Sequence, residues 1–98
     1  MRESKIEKYL TQEVKKIGGE SIKINSPGLN GMPDRWVGFP GGKMFFIEMK
    51  APGKLLTKQQ QYRAKQLRDM GFDSRKIDSK QEVDIFIWEA KHDHIQST

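Results

Sequence analysis

The chain is 98 residues long and 35% hydrophobic, with five Phe and two Trp, which fits one compact domain spanning 1–98 with a small core. It contains no cysteine, which excludes a disulfide framework and a thiolate zinc site, and its charged, amphipathic N-terminus argues against a signal peptide or a membrane span and favours a cytoplasmic protein. Eighteen Lys and Arg against thirteen Asp and Glu give a net charge of +5, which favours a polyanionic partner.

The first predicted element is a helix from about Glu3 to Ile17. Apolar residues recur there at helical spacing, and Gly18-Gly19 follows directly with residues suited to a left-handed helix end. The next segment, 21–26, is rich in β-branched residues and predicts a strand. The Pro, Gly and Asn residues of 27–31 then predict a loop.

A β-hairpin is the clearest local signal in the sequence. Two β-prone runs, Arg35 to Phe39 and Lys43 to Lys50, are separated by Pro40-Gly41-Gly42. With a three-residue turn, the last residue of the first run faces the first residue of the second, and counting outward places Asp34 opposite Glu48 on the same face. A two-residue turn would move Asp34 to the other face, so the pairing depends on the turn length.

A second helix and a fourth strand follow the hairpin. Thr57 and Gln60 have the spacing of a capping box and predict a helix from about Lys58 to Met70, which Gly71 would end. A strand is predicted over Phe72 to Ile77.

The last segment permits two predictions. Residues 79–82 have the spacing of another capping box and favour a third helix, whereas Asp84 to Trp88 alone would also suit a strand. Residues 92–98 are predicted to be a frayed tail. The order helix, three strands, helix, strand, helix predicts an α/β fold with a small mixed sheet flanked by helices, because each amphipathic helix must bury its apolar stripe.

The strand 43–50 brings charged groups together. Its side chains alternate between the two faces of the sheet, so one face is apolar while Glu48 and Lys50 share the other. Asp34 and Glu48, of like charge, repel each other across the ladder unless a cation lies between them or one is protonated. A hard divalent cation meets this need, and Lys50 is placed to orient a water or to neutralise developing charge. The three residues therefore predict metal-assisted hydrolysis of a phosphodiester.

These residues also match a known motif. Pro33-Asp34 followed by Glu48-Met49-Lys50 resembles the PD-(D/E)xK nuclease superfamily, which is also called restriction endonuclease-like. The longer pattern is more specific and comprises Asn30 to Arg35, Phe46 to Gly53, Thr57 to Gln60, Leu67 and Gly71. It resembles the virus-type replication-repair nuclease domain, VRR-NUC, in its standalone phage or bacterial form, over nearly the whole chain.

The resemblance implies a restriction-endonuclease-like core, Mg²⁺ or Mn²⁺ as the cofactor, and cleavage of branched DNA such as four-way (Holliday) junctions in repair. By motif, it implies that Asp34 and Glu48 are metal ligands, together with the backbone carbonyl of Met49. It implies that Lys50 is the catalytic lysine. It also implies that the protein acts in the cytoplasm of a bacterium or of a phage-infected cell.

Two further site residues are implied by the same family. Gln60 matches its glutamine after the third strand, although the capping box also gives that residue a structural role, and the two roles are compatible. A first-helix glutamate is expected as well. Glu7 is the first choice, as a catalytic residue and metal ligand, because it flanks the apolar stripe; Glu3 is the second choice and Glu13 a weaker one.

Other polar residues are less specific. Arg35, Lys54, Lys58 and Arg63 are candidate phosphate contacts, although Lys and Arg on loops and helices are usually only solvated. His92-Asp93-His94 contains possible metal ligands but lacks a supporting set of residues, so it is discounted as a site.

A non-catalytic basic DNA-binding module, whose carboxylates only stabilise the fold, is the alternative function. A divalent ion separates the two hypotheses, because only the nuclease needs it. A symmetric homodimer is expected, since a small chain gains stability by burying apolar surface between copies. Trp36, Trp88 and the apolar stripe of the third helix are the candidate contact surfaces.

Overall fold

A computed structural model of the chain describes residues 2–96, apart from the side chains of 93–96. In that part of the chain, helices and strands follow one another in the predicted order. The helices are α1 (Glu3–Lys16), α2 (Lys58–Asp69) and α3 (Lys80–Gln96), and the strands are β1 (Glu20–Lys23), β2 (Arg35–Phe39), β3 (Lys43–Met49) and β4 (Asp73–Ile77). The predicted α/β class, a mixed sheet flanked by helices, is confirmed.

The strands form one sheet in the order β1-β2-β3-β4. β1, β2 and β3 are antiparallel neighbours, and β4 runs parallel to β3 because α2 forms the crossover between them. In the hairpin, Phe39 faces Lys43, and Gly41 and Gly42 both take positive φ angles in the turn. The three-residue turn and the predicted register of the hairpin are confirmed.

One face of the sheet carries the hydrophobic core, which α1 and α3 cover. The buried core residues are Ile6, Leu10, Val14, Val37, Phe45, Ile47, Met49, Ile77, Val83, Phe86, Ile87 and Ala90. Phe45 of β3 and Phe86 of α3 meet edge-on with ring centroids 5.0 Å apart. Alternation along β3 therefore turns Glu48 to the opposite face of the sheet.

Residues 84–88 belong to α3, so the alternative prediction of a strand there is wrong. Two features favour the helix. Ser79 Oγ accepts a hydrogen bond from the backbone N–H of Glu82 at 3.0 Å, which caps the start of the helix. The buried residues also recur three or four positions apart, at Val83, Phe86, Ile87 and Ala90.

α3 continues to Gln96, into the segment predicted to be a frayed tail. The rest of that tail, Ser97 and Thr98, lies outside the described residues. Within the described part of the chain, no helix is long and apolar enough to cross a membrane.

α2 packs on the face of the sheet opposite the core. It buries Ala64 and Leu67, and Arg68 Nη1 donates a hydrogen bond to the carbonyl of Ser74 on β4 at 3.1 Å. Its start is fixed by the predicted capping box, because the Gln60 N–H donates to Thr57 Oγ1 at 3.1 Å and the Thr57 N–H donates to Gln60 Oε1 at 2.9 Å. This cap places the first turn of α2 beside the end of β3.

Candidate metal and active site

Asp34, Glu48 and Lys50 lie where β2 begins and β3 ends. Arg35 is the register partner of Ile47, so the same register, extended by one residue, sets Asp34 opposite Glu48. The backbone N–H of Met49 donates a hydrogen bond to Asp34 Oδ1 at 3.1 Å, which fastens the Asp34 carboxylate across the ladder. The cross-strand pair that the hairpin predicts is therefore present.

The two carboxyl groups disfavour each other's charge. Burial, and after it the charge of Asp34, raise the pKa of Glu48 to about 7, against the opposing effect of Lys50. Burial also raises the pKa of Asp34, and the hydrogen bond from the Met49 N–H only partly opposes this. Near neutral pH, the pair therefore holds negative charge at a free-energy cost that a bound cation would relieve.

Gln60 caps α2 and also contacts Glu48. The backbone N–H and the side-chain amide oxygen of Gln60 complete the cap of α2. The side-chain Nε2 of Gln60 donates a hydrogen bond to Glu48 Oε2 at 3.2 Å. The amide oxygen is turned to Thr57 and the amide nitrogen to Glu48, so Gln60 orients the carboxylate of Glu48. This contact makes Gln60 a positioning residue of the site.

Glu7 reaches the neighbourhood of the site but is held by Arg35. Its Oε2 accepts hydrogen bonds from Arg35 Nε at 3.0 Å and Nη2 at 2.9 Å, and Arg35 Nη1 donates to Ser21 Oγ at 3.0 Å. The Arg35 side chain is only 11% exposed, so it forms a largely buried bridge between β2, α1 and β1. Its phosphate contact stays a prediction. The charge of Glu7 still raises the pKa of Asp34.

The other first-helix glutamates divide between the site and the surface. The charge of Glu3 contributes to raising the pKa of both Asp34 and Glu48, so the start of α1 borders the site. Glu13 forms an ion pair with Lys16 at 2.7 Å, three residues along the helix. The geometry thus favours Glu3 and Glu7 over Glu13 as neighbours of the carboxylate pair.

The remaining candidate cations differ in exposure. Lys54 and Lys58 are exposed, whereas Arg63 Nε donates a hydrogen bond to the carbonyl of Asn30 at 3.0 Å. Arg63 therefore ties α2 to the loop that precedes Asp34. Lys54 and Lys58 remain available to a phosphate backbone.

A divalent ion fits the donors that meet here. Within the described side chains, no three acidic, His or Cys groups form a metal cluster. Glu7, whose carboxylate binds Arg35, stays a predicted ligand. Mg²⁺ usually takes one or two carboxylates and keeps several waters. Since the N–H and C=O of a strand residue point to the same side, the carbonyl of Met49 also faces Asp34. Two carboxylates and this carbonyl therefore suit Mg²⁺ or Mn²⁺.

Gly31 is a site residue that the sequence did not single out. Its φ is +85°, and an added Cβ would lie 2.6 Å from the backbone oxygen of Gln59. The loop before Asp34 thus packs directly on the first turn of α2, where Gln60 lies. The pair Asn30-Gly31 signals a turn in the sequence, but nothing in the sequence reveals this close approach.

No family model matches the chain. "Putative nuclease p44" of Acyrthosiphon pisum secondary endosymbiont phage 1 is 45% identical over 80 residues, which is 82% of this chain and 86% of that protein. A solved structure described as "VRR_NUC domain" superposes with a TM-score of 0.81 at 27% identity, covering 87% of this chain and 92% of the other.

The raised pKa of Glu48 predicts how stability depends on pH without metal. In the folded protein the carboxyl keeps its proton up to about pH 7, whereas the unfolded chain releases it near 4.5. The free energy of unfolding should therefore fall as pH rises from 4.5 to 7, and Glu48→Gln should flatten this dependence. Urea denaturation in EDTA at several pH values measures it, with Glu20→Gln as the control for removing one charge. If the unfolding free energy of Glu48→Gln fell with pH as steeply as that of the wild type, the assignment of this pH dependence to Glu48 would be contradicted.

Gly31→Ala should lower both stability and activity, because the methyl group pushes the Asp34 loop away from α2. Gly28→Ala is a matched control: its φ is +79°, but nothing lies within 4 Å of an added Cβ. Gly28→Ala should lower the free energy of unfolding by about 1–2 kcal/mol, because alanine disfavours the left-handed backbone conformation. Gly31→Ala should lower it by at least about 1 kcal/mol more, because the added methyl group also overlaps Gln59. Equal unfolding free energies in the two variants would show that the close approach has no energetic weight.

Proposed function

Since the chain belongs to the VRR-NUC family of PD-(D/E)xK nucleases, we propose that it is an endodeoxyribonuclease that uses Mg²⁺ or Mn²⁺ and acts on branched DNA such as four-way junctions. The pair of Asp34 and Glu48 carries this proposal. Burial raises the pKa of both half-buried carboxyl groups, and the charge of Asp34 raises the pKa of Glu48 further, so a cation between them would be bound favourably. Lys50 adds a positive charge beside them, because its charge acts to lower the pKa of Glu48.

Each residue of the site has a distinct task in this proposal. Asp34 and Glu48 hold the ion, with the Met49 N–H and Gln60 Nε2 fixing the orientation of the two carboxylates. When bound, the ion supplies Lewis-acid activation of the scissile phosphate and makes a water molecule easier to deprotonate. Lys50 orients that water or neutralises the charge that develops on the phosphate oxygens.

The basic segment after the site suits the DNA backbone. Between Glu48 and Asp69 the chain carries six Lys and Arg residues and no acidic residue. Lys54 and Lys58, which are exposed, are the candidates for phosphate contacts on the strand that is cut.

The alternative of a non-catalytic DNA-binding module is less consistent with the electrostatics. Carboxylates that stabilise a fold are paired or hydrogen-bonded so that their pKa values fall. At Asp34 and Glu48 the shift has the opposite direction, which means that their negative charge destabilises the folded chain without a cation. In a DNA-binding module without a metal, such a pair would only lower the stability of the fold.

A symmetric homodimer completes the proposal, because each chain has one such site and a four-way junction requires two cuts. The apolar stripe of α3 is buried in the chain's own core, so it is not a contact surface. Trp88, on the outer side of α3, is 62% exposed and stacks on His92 with a centroid distance of 4.2 Å. Trp36 lies on the sheet face opposite the core, beside the exposed Ile22.

Asp34→Asn, Glu48→Gln and Lys50→Ala should each reduce DNA cleavage by at least about a hundredfold, because the three groups act as one unit around the ion. Asp69→Asn and Lys16→Ala are matched controls, since both change exposed charges that form surface ion pairs. Single-turnover cleavage with Mg²⁺ or Mn²⁺ measures the rates, and Ca²⁺ should support binding but little cleavage. In thermal melts Mg²⁺ should stabilise the wild-type chain and not Glu48→Gln. Wild-type cleavage in EDTA would refute the metal requirement.

The assembly proposal predicts a dimer at micromolar concentration in light scattering. Trp88→Glu or Trp36→Glu should produce monomers if the altered side chain lies in the interface, because a charge buried without a partner is costly. Monomers should also cut the two strands of a junction independently. A monomeric wild-type mass combined with paired, symmetric cuts would contradict the role given to the dimer.

A further inference from the structure

Leu55 is the most exposed of the large hydrophobic side chains in the described part of the chain, at 79%. Single exposed hydrophobic residues are common on protein surfaces and usually need no explanation. Leu55 differs in its position, because it lies five residues after Lys50 and five residues before Gln60. At most about 18 Å of extended chain separates it from either of these site residues.

The segment that carries Leu55 is fastened on both sides. The Gly53 N–H donates a hydrogen bond to Asp78 Oδ2 at 3.1 Å, and the Lys54 N–H donates to the carbonyl of Ala51 at 3.0 Å. On the other side, Gln61 Nε2 donates to the carbonyl of Leu56 at 3.1 Å. The backbone on both sides of Leu55 is therefore held by hydrogen bonds, while the Leu55 side chain is exposed.

The charges around Leu55 suit DNA as its partner. Lys54 precedes it, Lys58 begins the next helix, and both are exposed. With no acidic residue from 49 to 68, a phosphate backbone can approach this segment without like-charge repulsion. Leu55 lies between these two cations in the sequence.

We propose that Leu55, presented between Lys54 and Lys58, inserts against an unstacked base of the bound DNA and so favours branched over continuous duplex. The proposal rests on the proposed nuclease function and deepens it by naming a residue that selects the substrate. Apolar wedges such as Leu open base steps in other DNA-binding proteins, at a cost for unstacking. That cost is smallest where the duplex is already interrupted, which is the origin of the preference.

The experiment uses the full chain with four-way and linear DNA that carry 2-aminopurine, whose fluorescence rises when the base unstacks. The wild-type chain in Ca²⁺ should increase the fluorescence of the probe at the branch point. Leu55→Gln should lose this increase and lose about tenfold in single-turnover rate with Mg²⁺ on the branched DNA, with a smaller loss on linear duplex. Leu55→Met should retain both properties, because it keeps an apolar side chain of similar size.

Met70→Gln is the matched control, since Met70 is an exposed hydrophobic residue at the C-terminal end of α2, and it should keep the wild-type behaviour. Thermal melts check that each variant is folded. No fluorescence increase with the wild-type chain, or a wild-type preference for branched DNA in Leu55→Gln, would overturn the wedge alone while cleavage persists. Failure of the wild-type chain to cut any DNA with Mg²⁺ would instead overturn the nuclease proposal itself.

Discussion

The repulsion between Asp34 and Glu48 is the constraint on which the rest of the site depends. Without a cation, the fold must hold two half-buried carboxyl groups opposite each other. Burial raises the pKa of both, and the charge of Asp34 raises the pKa of Glu48 further. Two hydrogen bonds hold the carboxyl groups in this arrangement. One runs from the Met49 N–H to Asp34 and the other from Gln60 to Glu48. Hydrogen bonds of this kind orient metal-binding carboxylates, which lowers the reorganisation needed for catalysis.

The same few contacts join the site to the fold. Gln60 both caps α2 and holds Glu48, so the helix start and the site cannot move independently. Gly31 lets the Asp34 loop rest on that same turn, and Arg35 bridges β2 to α1 through Glu7. These contacts connect the positions of the two carboxylates to α1 and α2, although none of Gln60, Gly31 and Arg35 is an acidic ligand.

The sequence predicted the elements and the central pair because both follow from local patterns. The three-residue turn fixes the hairpin register, and that register alone brings Asp34 opposite Glu48. The roles of Arg35 and Glu7 were not predictable in this way, since their ion pair joins residues 28 positions apart on different elements. The close approach at Gly31 likewise depends on tertiary packing, which local patterns do not contain.

The central claim is that a divalent ion binds between Asp34 and Glu48. Anomalous diffraction from crystals of the chain soaked in Mn²⁺ tests it most directly, because the ion reports its own position. The account predicts one strong peak within coordination distance of both carboxylates and of the Met49 carbonyl, at about 2.0–2.3 Å, and its loss in Glu48→Gln. An absence of any peak at the pair in well-diffracting soaked crystals, or an equal peak in Glu48→Gln, would contradict it.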